Sequence, residues 1–524
     1  MRDKLSALLR KTAPKGTEIG LNVPEDEKFG HYSTNVVFSL AKKSGRPPMD
    51  VARELAEKVK LAGFLKRLEV APPGFINFWL EERAFQDELR EILKKKNSYG
   101  RGKRKKDKIQ VEFVSANPTG PLTLANGRGG FLGDVLSNTL EWNGFQVERE
   151  YYVNDTGNQI ITLGKSAAAA LGLIPAEESF YKGDYVRRWA SVNAAFVRRN
   201  KEKFLKIGQK AAAEFMRNIK TTLTKKAGIK FNRFTSEEKQ IHKKGLTKKA
   251  MEIFRKKGLV YKKEGAEWLK TTTFGDDKDR VVITSDGFPT YFLADAGHYL
   301  ETKSRGFSRK INILGPDHFG YVARIQAVAK LVGLAESTII ITQLVRMLDK
   351  GERLKMSKRK GTFITFNELI NEVPPDVARF FFLTIAPETH LDFDLDLAKE
   401  KSQKNPVYYA QYAYVRALSI LKKAKISAAK ADLRLLSSRE DISLLRMLAA
   451  FPEIIEDAAS DYGVQRLTRY ARELARIFHD FYEKERIIGV PKNLAAARLA
   501  LVKATVQVFE NLFKILGISA PQKM

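Results

Sequence analysis

Apolar residues are spaced in two different ways along this chain. Between residues 109 and 348, short runs rich in β-branched and aromatic residues alternate with stretches of helical periodicity. The apolar runs begin near residues 111, 147, 281, 311 and 338. Such runs predict buried strands, and their alternation with helices predicts a parallel sheet covered by helices.

Outside this region the pattern changes. From residue 395 to 524 the spacing is helical in four long segments, which predicts an all-α bundle. Residues 1–95 mix helical patterns with a strand-like run and predict a small α/β unit. Residues 96–108 are too polar and too like-charged to pack, so they predict a basic linker. The main domain then spans 109–394, with a helical insertion at about 163–258 that is rich in Ala and Lys and carries no recognisable chemistry.

One stretch, residues 111–134, predicts a strand, a turn and the start of a helix in succession. Val111 to Val114 is the strand, the prolines and glycines after it break the ladder, and Asn126 is the expected N-cap of the helix. Three glycines stand in the first turn, where each costs up to about 1 kcal/mol of helix propensity. We interpret them as allowing an anion such as phosphate to approach the free N–H groups. A tight strand–helix packing turn is an equally open explanation.

Composition adds a strong charge bias. Lys and Arg total 92 against 61 acidic residues, which gives a formal net charge of +31. This excess favours a polyanionic partner, most simply nucleic acid, although a proteome that is basic throughout is the alternative. The absence of cysteine excludes disulfides and thiolate metal sites, and the six histidines lack HExxH spacing, so we expect no catalytic zinc. Without a long apolar run or a signal-like N-terminus, we expect a cytoplasmic protein with no membrane span.

Two further stretches of the main domain carry chemistry after a strand-like run. Gly315 allows close approach of a ligand, and Asp317 can accept a hydrogen bond from a ribose hydroxyl. Lys355 and Lys358 stand in a glycine-containing cationic loop that could close over phosphates. A lysine-rich loop that is merely solvated is the alternative explanation.

Taken together, these stretches resemble the class I aminoacyl-tRNA synthetases. The loop KMSKR, preceded by QLVRMLDKGER, resembles the KMSKS loop of that class. Within the class, the chain resembles the arginyl-tRNA synthetase family in VEFVSANPTGPLTLANGRGG, YYVNDTGNQI, SDGFPTYFLAD, GPDHFGYV and the terminal QYAYVRALSIL…LFKILGISAPQKM. The opening FGHYSTNVVFSLAKKSGRPP is similar to the extra N-terminal domain of that family. The resemblance covers nearly the whole chain.

The resemblance implies a fold and a reaction. The fold is α/β, a Rossmann-like parallel-sheet catalytic domain with a small α/β N-terminal domain and an all-α C-terminal anticodon-binding bundle. The reaction is ATP-dependent ligation of L-arginine to tRNA(Arg) through an arginyl-adenylate, with release of pyrophosphate and AMP. Mg²⁺ is implied as the partner of ATP without a dedicated metal site on the protein, and we expect a monomer. The alternatives are a non-catalytic tRNA-binding paralogue and a class I enzyme for another amino acid.

Selection of arginine requires a carboxylate, because the guanidinium group is always charged and presents forked donors. Asp295 is the best candidate, and Tyr291 shares its face if this segment is helical. An acid on a helix surface is the alternative explanation of Asp295. The resemblance places both residues in the arginine pocket, together with Ser115 and Asn117.

The resemblance also implies the remaining site residues. Lys355 and Lys358 would neutralise the charge that develops on pyrophosphate, and Gly315 and Asp317 would hold adenosine. Thr123 and Asn126 complete the implied catalytic set. The other implied ATP contacts are Gly127, His318, Met356 and Ser357.

The chain departs from the family at one motif. Where the family usually carries a HIGH-type tetrapeptide, residues 123–126 are Thr-Leu-Ala-Asn, so both histidines are missing. Losing one preorganised donor typically costs about 2.7–4 kcal/mol. Either other donors such as Arg128 and the lysine loop compensate, or the chain is a degenerate copy that binds RNA without activating an amino acid.

The start of the C-terminal region interleaves aromatic and polar residues. Single-stranded RNA is recognised by stacking on aromatic rings and by hydrogen bonds to base edges. Tyr408, Gln411, Tyr412 and Arg416 are therefore the candidate anticodon contacts. The alternative, that the tyrosines form the core of a helix pair, is expected to hold for about half of them.

Overall fold

A five-stranded parallel sheet forms the centre of the main domain, with a small α/β unit before it and a helical bundle after it. The computed structural model describes residues 1–24, 26–354, 364–428 and 431–524. Among the helices of these residues, none combines the length and the apolar character needed to cross a bilayer.

The N-terminal unit is an antiparallel sheet of order β1-β2-β4-β3 with helices packed on it. Alternation along β4 buries Ile76, Phe78 and Leu80, which gives the sheet its apolar face. The elements are α1 Arg2–Thr12, β1 Leu21–Asn22, β2 Tyr32–Thr34, α2 Val36–Ser44, α3 Pro48–Lys58, β3 Leu65–Ala71, β4 Phe75–Leu80 and α4 Glu82–Lys95.

The central sheet has the order β12-β11-β5-β6-β7, and every neighbouring pair is parallel. The first half of the domain contains β5 Lys108–Glu112, α5 Leu124–Trp142, β6 Gln146–Val153, α6 Asn158–Ala170, α7 Asp184–Val192, α8 Ala194–Arg199, α9 Phe204–Lys220 and β7 Arg233–Ser236. The second half contains α10 Leu246–Lys256, β8 Val260–Lys263, β9 Ala266–Leu269, β10 Arg280–Ile283, α11 Tyr291–Ser304, β11 Arg309–Leu314, α12 Val322–Val332, β12 Glu336–Ile341, β13 Val345–Asp349, β14 Glu352–Arg353, α13 Phe366–Glu372, α14 Pro375–Phe382, β15 Leu391–Asp394 and α15 Leu395–Lys399.

The C-terminal region is all α-helical, as the apolar spacing predicted. Its long helices are α16 Pro406–Lys423, α17 Arg439–Asp461, α18 Gln465–Lys484 and α19 Lys492–Leu516. Their buried faces join the apolar core of the central sheet and of the N-terminal unit, so one continuous core connects all three regions.

Two predictions about strands were wrong. The run at 281–283 forms β10, which belongs to a separate antiparallel sheet of order β10-β9-β8 and not to the parallel sheet. The insertion, predicted as helical throughout, contains β7, which is the edge strand beside β6. Its four residues, Arg233–Ser236, are too short and too polar for the apolar pattern to reveal them.

The basic stretch before β5 packs, contrary to its prediction as an unpacked linker. Arg101 lies over the Trp142 ring at 4.3 Å, and Lys105 lies over the Phe145 ring at 4.0 Å. The amide of Lys105 donates to the carbonyl of Gly144 at 2.8 Å. Long basic side chains cover apolar surface with their stems while their charged ends reach water, so like charge does not prevent packing here.

Helices α6 and α9 of the insertion touch through their backbones. A Cβ on Gly164 would lie 1.9 Å from the carbonyl oxygen of Phe204, and a Cβ on Gly208 would lie 1.8 Å from that of Ile160. Both positions therefore require glycine, and the two helices approach more closely than side chains would permit. A separate apolar cluster joins this pair to α7 and α8.

Candidate active site

A cleft of about 2200 Å³ opens at the carboxyl ends of β5 and β11. These strands are neighbours, but the chain continues from β5 toward β6 on one side and from β11 toward β12 on the other. The cleft thus lies at the topological switch point, where open α/β sheets bind their ligands. The N-terminus of α5, the N-terminal end of α11 and the 3₁₀ helix Pro316–Tyr321 line its walls.

An unusual turn follows β5. Val114 and Ser115 have φ angles of 68° and 37°, in the left-handed region that L-residues seldom occupy outside functional sites. The Ser115 hydroxyl donates to Glu112 Oε1 at 3.1 Å and accepts from the amide of Tyr152 at 3.0 Å. Ser115 and Asn117 both line the cleft, as expected of residues in a shared pocket.

Helix α5 begins at Leu124, and its N-cap is Thr123. The prediction that Asn126 is the N-cap was wrong, because the two residues form a reciprocal capping box. Thr123 Oγ1 accepts from the Asn126 amide at 3.3 Å, and Asn126 Oδ1 accepts from the Thr123 amide at 2.9 Å. The Thr123 hydroxyl donates to the same Oδ1 at 2.8 Å, which leaves the Asn126 side-chain NH₂ as the donor that this pair can offer to a ligand.

The residues that follow in α5 do not all face the cleft. Gly127 packs against Phe366, and a Cβ at this position would lie 2.2 Å from the ring. Gly127 was predicted to contact ATP, but it is not among the residues that line the cleft. Gly129 lines the cleft instead.

Arg128 also points away from the cleft. Its guanidinium donates to the carbonyl oxygens of Gln343, Thr389 and Ala386 at 3.0, 2.8 and 2.8 Å. Burial lowers the pKa of Arg128 to about 10. The expectation that Arg128 compensates for the missing histidines was therefore wrong, because its donors are used to tie α5 to the neighbouring loops.

The cleft floor is acidic. Tyr291 and Asp295 lie one turn apart on α11 and both line the cleft, so their predicted shared face is confirmed. Burial raises the pKa of Asp295 to about 7, and the carboxylates of Glu237 and Glu112 add to the rise. These two glutamates also line the cleft.

The sequence analysis missed four residues of this floor: Glu112, Tyr152, Asn154 and Glu237. Asn154 Oδ1 is buried and has no hydrogen-bond partner among the described residues. Burial raises the pKa of Tyr152, and its hydrogen bond with Glu237 adds to the rise. Asn154 follows the carboxyl end of β6, a position that could have identified it. Glu237 begins a π-helix, Glu237–His242, inside the region that was predicted to carry no chemistry.

The opposite wall carries Gly315, Asp317 and His318, which the structure brings together in the cleft as expected. Gly315 precedes the 3₁₀ helix, and His318 Nε2 lies 3.7 Å from Asp317 Oδ2 with both side chains largely exposed. Four predicted residues, Lys355, Met356, Ser357 and Lys358, lie outside the described residues.

The entrance of the cleft is lined by residues 178–188 of the insertion. This segment carries the exposed cations Lys182, Arg187 and Arg188, and the ring of Tyr185 packs against Gly120. This placement could not be predicted, because nothing local to residues 178–188 indicates that the segment folds back onto the central sheet.

A second groove, of about 690 Å³, lies on the helical bundle and is lined in part by Tyr408, Gln411 and Tyr412. Gln411 is buried and donates to the carbonyl of Ser519 at 3.1 Å, so its amide already serves to hold the C-terminal segment. Tyr412 stacks on His479, and Arg416 lies over the rings of Tyr412 and Tyr482 at 5.0 and 4.4 Å.

The remaining tyrosines of α16 divide between surface and core. Tyr414 is buried against Phe509 and Phe513, whereas Tyr408 and Tyr409 are partly exposed. The alternative explanation, that these tyrosines belong to the helix core, is therefore correct for Tyr414.

Comparison with known proteins identifies the class of this site. Residues 88–376, which include every residue that lines the large cleft, match the family model described as "tRNA synthetases class I (R), catalytic domain". The fold and the cleft are those of a class I aminoacyl-tRNA synthetase.

The flanking regions and full-length relatives define the family. Residues 1–80 match "Arginyl tRNA synthetase N terminal domain" and residues 410–524 match "DALR anticodon binding domain". The arginine–tRNA ligase of Carboxydothermus hydrogenoformans is 40% identical over 96% of this chain and 94% of its own length. That of Citrifermentans bemidjiense is 39% identical over 100% of both chains. The chain belongs to the arginyl-tRNA synthetase family, as its motifs indicated.

A solved structure supports the fold. The arginyl-tRNA synthetase of Thermus thermophilus aligns over 100% of both chains with a TM-score of 0.80 at 21% identity. The predicted fold class, a parallel-sheet catalytic domain between a small N-terminal domain and a helical C-terminal bundle, is confirmed.

Proposed function

We propose that this chain ligates L-arginine to tRNA(Arg) in two steps. The carboxylate of arginine attacks the α-phosphorus of ATP, which forms arginyl-adenylate and releases pyrophosphate. A hydroxyl of the terminal adenosine of the tRNA then attacks the carbonyl carbon of the adenylate and releases AMP. Mg²⁺ enters with ATP as part of the nucleotide substrate.

The acidic cleft floor is the observation that carries this proposal. Asp295 and Glu237 offer carboxylates to the forked donors of a guanidinium group, and the unpaired Asn154 Oδ1 offers a further acceptor. Tyr291, which is 56% exposed above this floor, offers a ring face on which a planar cation can stack. A neutral amino-acid side chain would leave the Asp295 carboxylate unpaired, which selects against it.

The second cationic group of arginine is its α-ammonium, for which Glu112 is the proposed partner. The carboxyl group of arginine must lie near the nucleotide, which we place at the N-terminus of α5. The turn at Ser115 and Asn117 connects β5 to that helix end, so this turn adjoins the α-carbon end of the substrate. Glu112 ends β5 and lines the cleft, so its carboxylate belongs to the same end of the site.

ATP is proposed to lie between the N-terminus of α5 and the wall formed by Gly315, Asp317 and His318. The amides of Leu124 and Ala125 begin α5 and have no acceptor within the helix, so they suit an anion. The side-chain NH₂ of Asn126 adds a neutral donor there, while Thr123 acts by holding Asn126 in place. Lys355 and Lys358 remain the proposed cations for pyrophosphate.

The tRNA is proposed to contact three surfaces. Lys182, Arg187 and Arg188 at the cleft entrance suit the phosphates of its 3′ end. The aromatic surface of Tyr408, Tyr412 and Arg416 on the bundle suits unstacked anticodon bases. The N-terminal unit would reach the outer corner of the tRNA.

The test is aminoacylation of total tRNA with labelled amino acids in Mg-ATP, with arginine beside a panel that includes lysine, citrulline and canavanine. We expect charging with arginine, weaker charging with canavanine because it retains a guanidino-type group, and none with lysine or citrulline. The Asp295→Asn variant serves as a matched control that keeps the size of the side chain. Absence of charging by the wild type, with tRNA still bound tightly, would favour a non-catalytic tRNA-binding protein.

A further inference from the structure

A fully buried lysine lies directly beneath the cleft floor. Lys310 is on β11 and has no solvent exposure. Its Nζ lies 3.0 Å from Glu112 Oε2 and 3.3 Å from Glu150 Oε2, and it donates to Gln110 Oε1 at 2.9 Å. His298 Nε2 is 3.1 Å from the same nitrogen and 2.9 Å from Glu150 Oε2.

Burial of an ammonium group is costly unless it is paired and hydrogen-bonded, and here both conditions are met. Glu112, Glu150 and His298 each place one potential ligand atom within 4.8 Å of the others, a spacing that could surround a bound cation. The ammonium group of Lys310 stands at that point, so the protein supplies the cation from its own chain. Although burial opposes the charged form of Glu150, Lys310 and His298 hold its pKa below the ordinary value.

The contacts of Glu112 connect this buried network to the cleft. Its Oε2 accepts from Lys310 at 3.0 Å and from Asn312 Nδ2 at 2.7 Å, while its Oε1 accepts from the Ser115 hydroxyl at 3.1 Å. Glu112 is therefore held from both oxygens. Glu112, Ser115 and Asn312 line the cleft, whereas Lys310 does not.

We propose that Lys310 is a positioning residue that fixes the carboxylate of Glu112 for the α-ammonium group of arginine. It makes no contact with substrate and acts on arginine binding through Glu112, whose Oε2 it contacts. This inference rests on the proposed function, because it assigns to Glu112 a cationic group of the amino acid. The ammonium group of Lys310 and the α-ammonium group of arginine attract the Glu112 carboxylate from opposite sides, so Lys310 fixes the position of that carboxylate. The cleft floor stays acidic because it retains Asp295 and Glu237.

The test replaces the ammonium and keeps the aliphatic stem. In Lys310→Met, we expect KM for arginine to rise by about 10- to 100-fold, the value of one hydrogen bond to a charged group. KM for ATP and kcat at saturating arginine should remain close to wild type, because the α5 end of the cleft is untouched.

A double variant separates positioning from stability. Lys310→Met leaves the Glu150 carboxylate without its cation, so we expect a lower melting temperature. The added substitution Glu150→Gln removes this unpaired charge and should restore much of the lost melting temperature. Arginine KM should stay high in the double variant, since Glu112 still lacks its partner. Arg379→Met is the matched control, because Arg379 is another buried cation, paired with Asp134 at 2.5 Å, and lies outside the cleft lining.

The outcomes are distinct. Recovery of both melting temperature and arginine KM in the double variant would overturn the proposal, as would an arginine KM in Lys310→Met that rises no more than in Arg379→Met. If the single variant does not fold, the double variant decides alone. Failure of the wild type to charge arginine would instead overturn the proposed function, and direct arginine binding by calorimetry would then still measure whether Lys310 matters.

Discussion

Asp295 is expected to couple arginine binding to the release of a proton. Burial raises the pKa of its carboxyl group from 3.8 to about 7. We therefore expect the side chain to be about half protonated at pH 7, and the rise in pKa corresponds to about 4 kcal/mol by which the cleft disfavours the charged form. A guanidinium group bound against it favours the charged form, so the proton leaves as arginine enters.

The magnitude follows from this pKa. Arginine binding should release about half a proton at pH 7, and KM for arginine should rise about tenfold between pH 8 and pH 6, because the protonated form binds poorly. Folding stability changes with pH in the opposite direction from arginine binding. A carboxyl group whose folded-state pKa is raised contributes stability that is complete below pH 3.8 and is lost as the pH rises through about 7. Without added arginine, Asp295→Asn should therefore stabilise the protein at pH 8 by up to about 4 kcal/mol, and it should weaken arginine binding.

The assay is titration calorimetry of arginine in two buffers, phosphate and Tris, whose ionisation enthalpies differ. The difference in apparent enthalpy gives the number of protons released, and Asp295→Asn should abolish it. Urea denaturation of both proteins at pH 5 and pH 8 measures the stability term. Equal proton release by the wild type and the variant would show that another group titrates, and it would refute the assignment to Asp295.

Three further predictions concern α5 and the bundle. Thr123→Ala should lower the free energy of unfolding by about 1 kcal/mol through loss of the capping box, measured by urea denaturation with Thr123→Ser as the control that keeps the cap; an unchanged midpoint would contradict the capping geometry. Arg128→Met leaves three carbonyl groups without their donor and should cost about 3 kcal/mol in thermal melts, with KM for ATP unchanged, whereas a raised ATP KM would return Arg128 to the site. Tyr412→Ala should weaken tRNA binding about tenfold in filter-binding assays, and Tyr414→Phe, a change in the buried core, should not; equal effects would count against a stacking surface.

The elements that could be predicted are those whose burial follows a simple period. The helices of the bundle and the strand–turn–helix at β5 and α5 have this property. The spacing of Tyr291 and Asp295 likewise predicts that both lie on one face of a helix. Of the residues that the family resemblance implied, Ser115, Asn117, Gly315, Asp317 and His318 do line the cleft.

The residues that escaped prediction depend on tertiary contacts. Glu237 reaches the floor through a four-residue edge strand and a π-helix, neither of which produces a recognisable apolar period. Arg128 stands among predicted nucleotide contacts, but the helical turn directs it to carbonyl groups more than 200 positions away in the chain. Lys310 is the second residue of β11, where a lysine is usually expected at the surface, and only the fold surrounds it with acids.

The backbone contact between α6 and α9 has a mechanical consequence. Because Gly164 and Gly208 bring the backbones of the two helices into direct contact, we expect α6 and α9 to move together as one unit. Tyr181 and Tyr185 of the segment 178–188 pack against the apolar cluster of this pair, and α6 begins at Asn158, four residues after Asn154 of the cleft. We therefore expect that an RNA end docked against residues 178–188 would shift Asn154, the proposed acceptor for the guanidinium group, together with the helix pair.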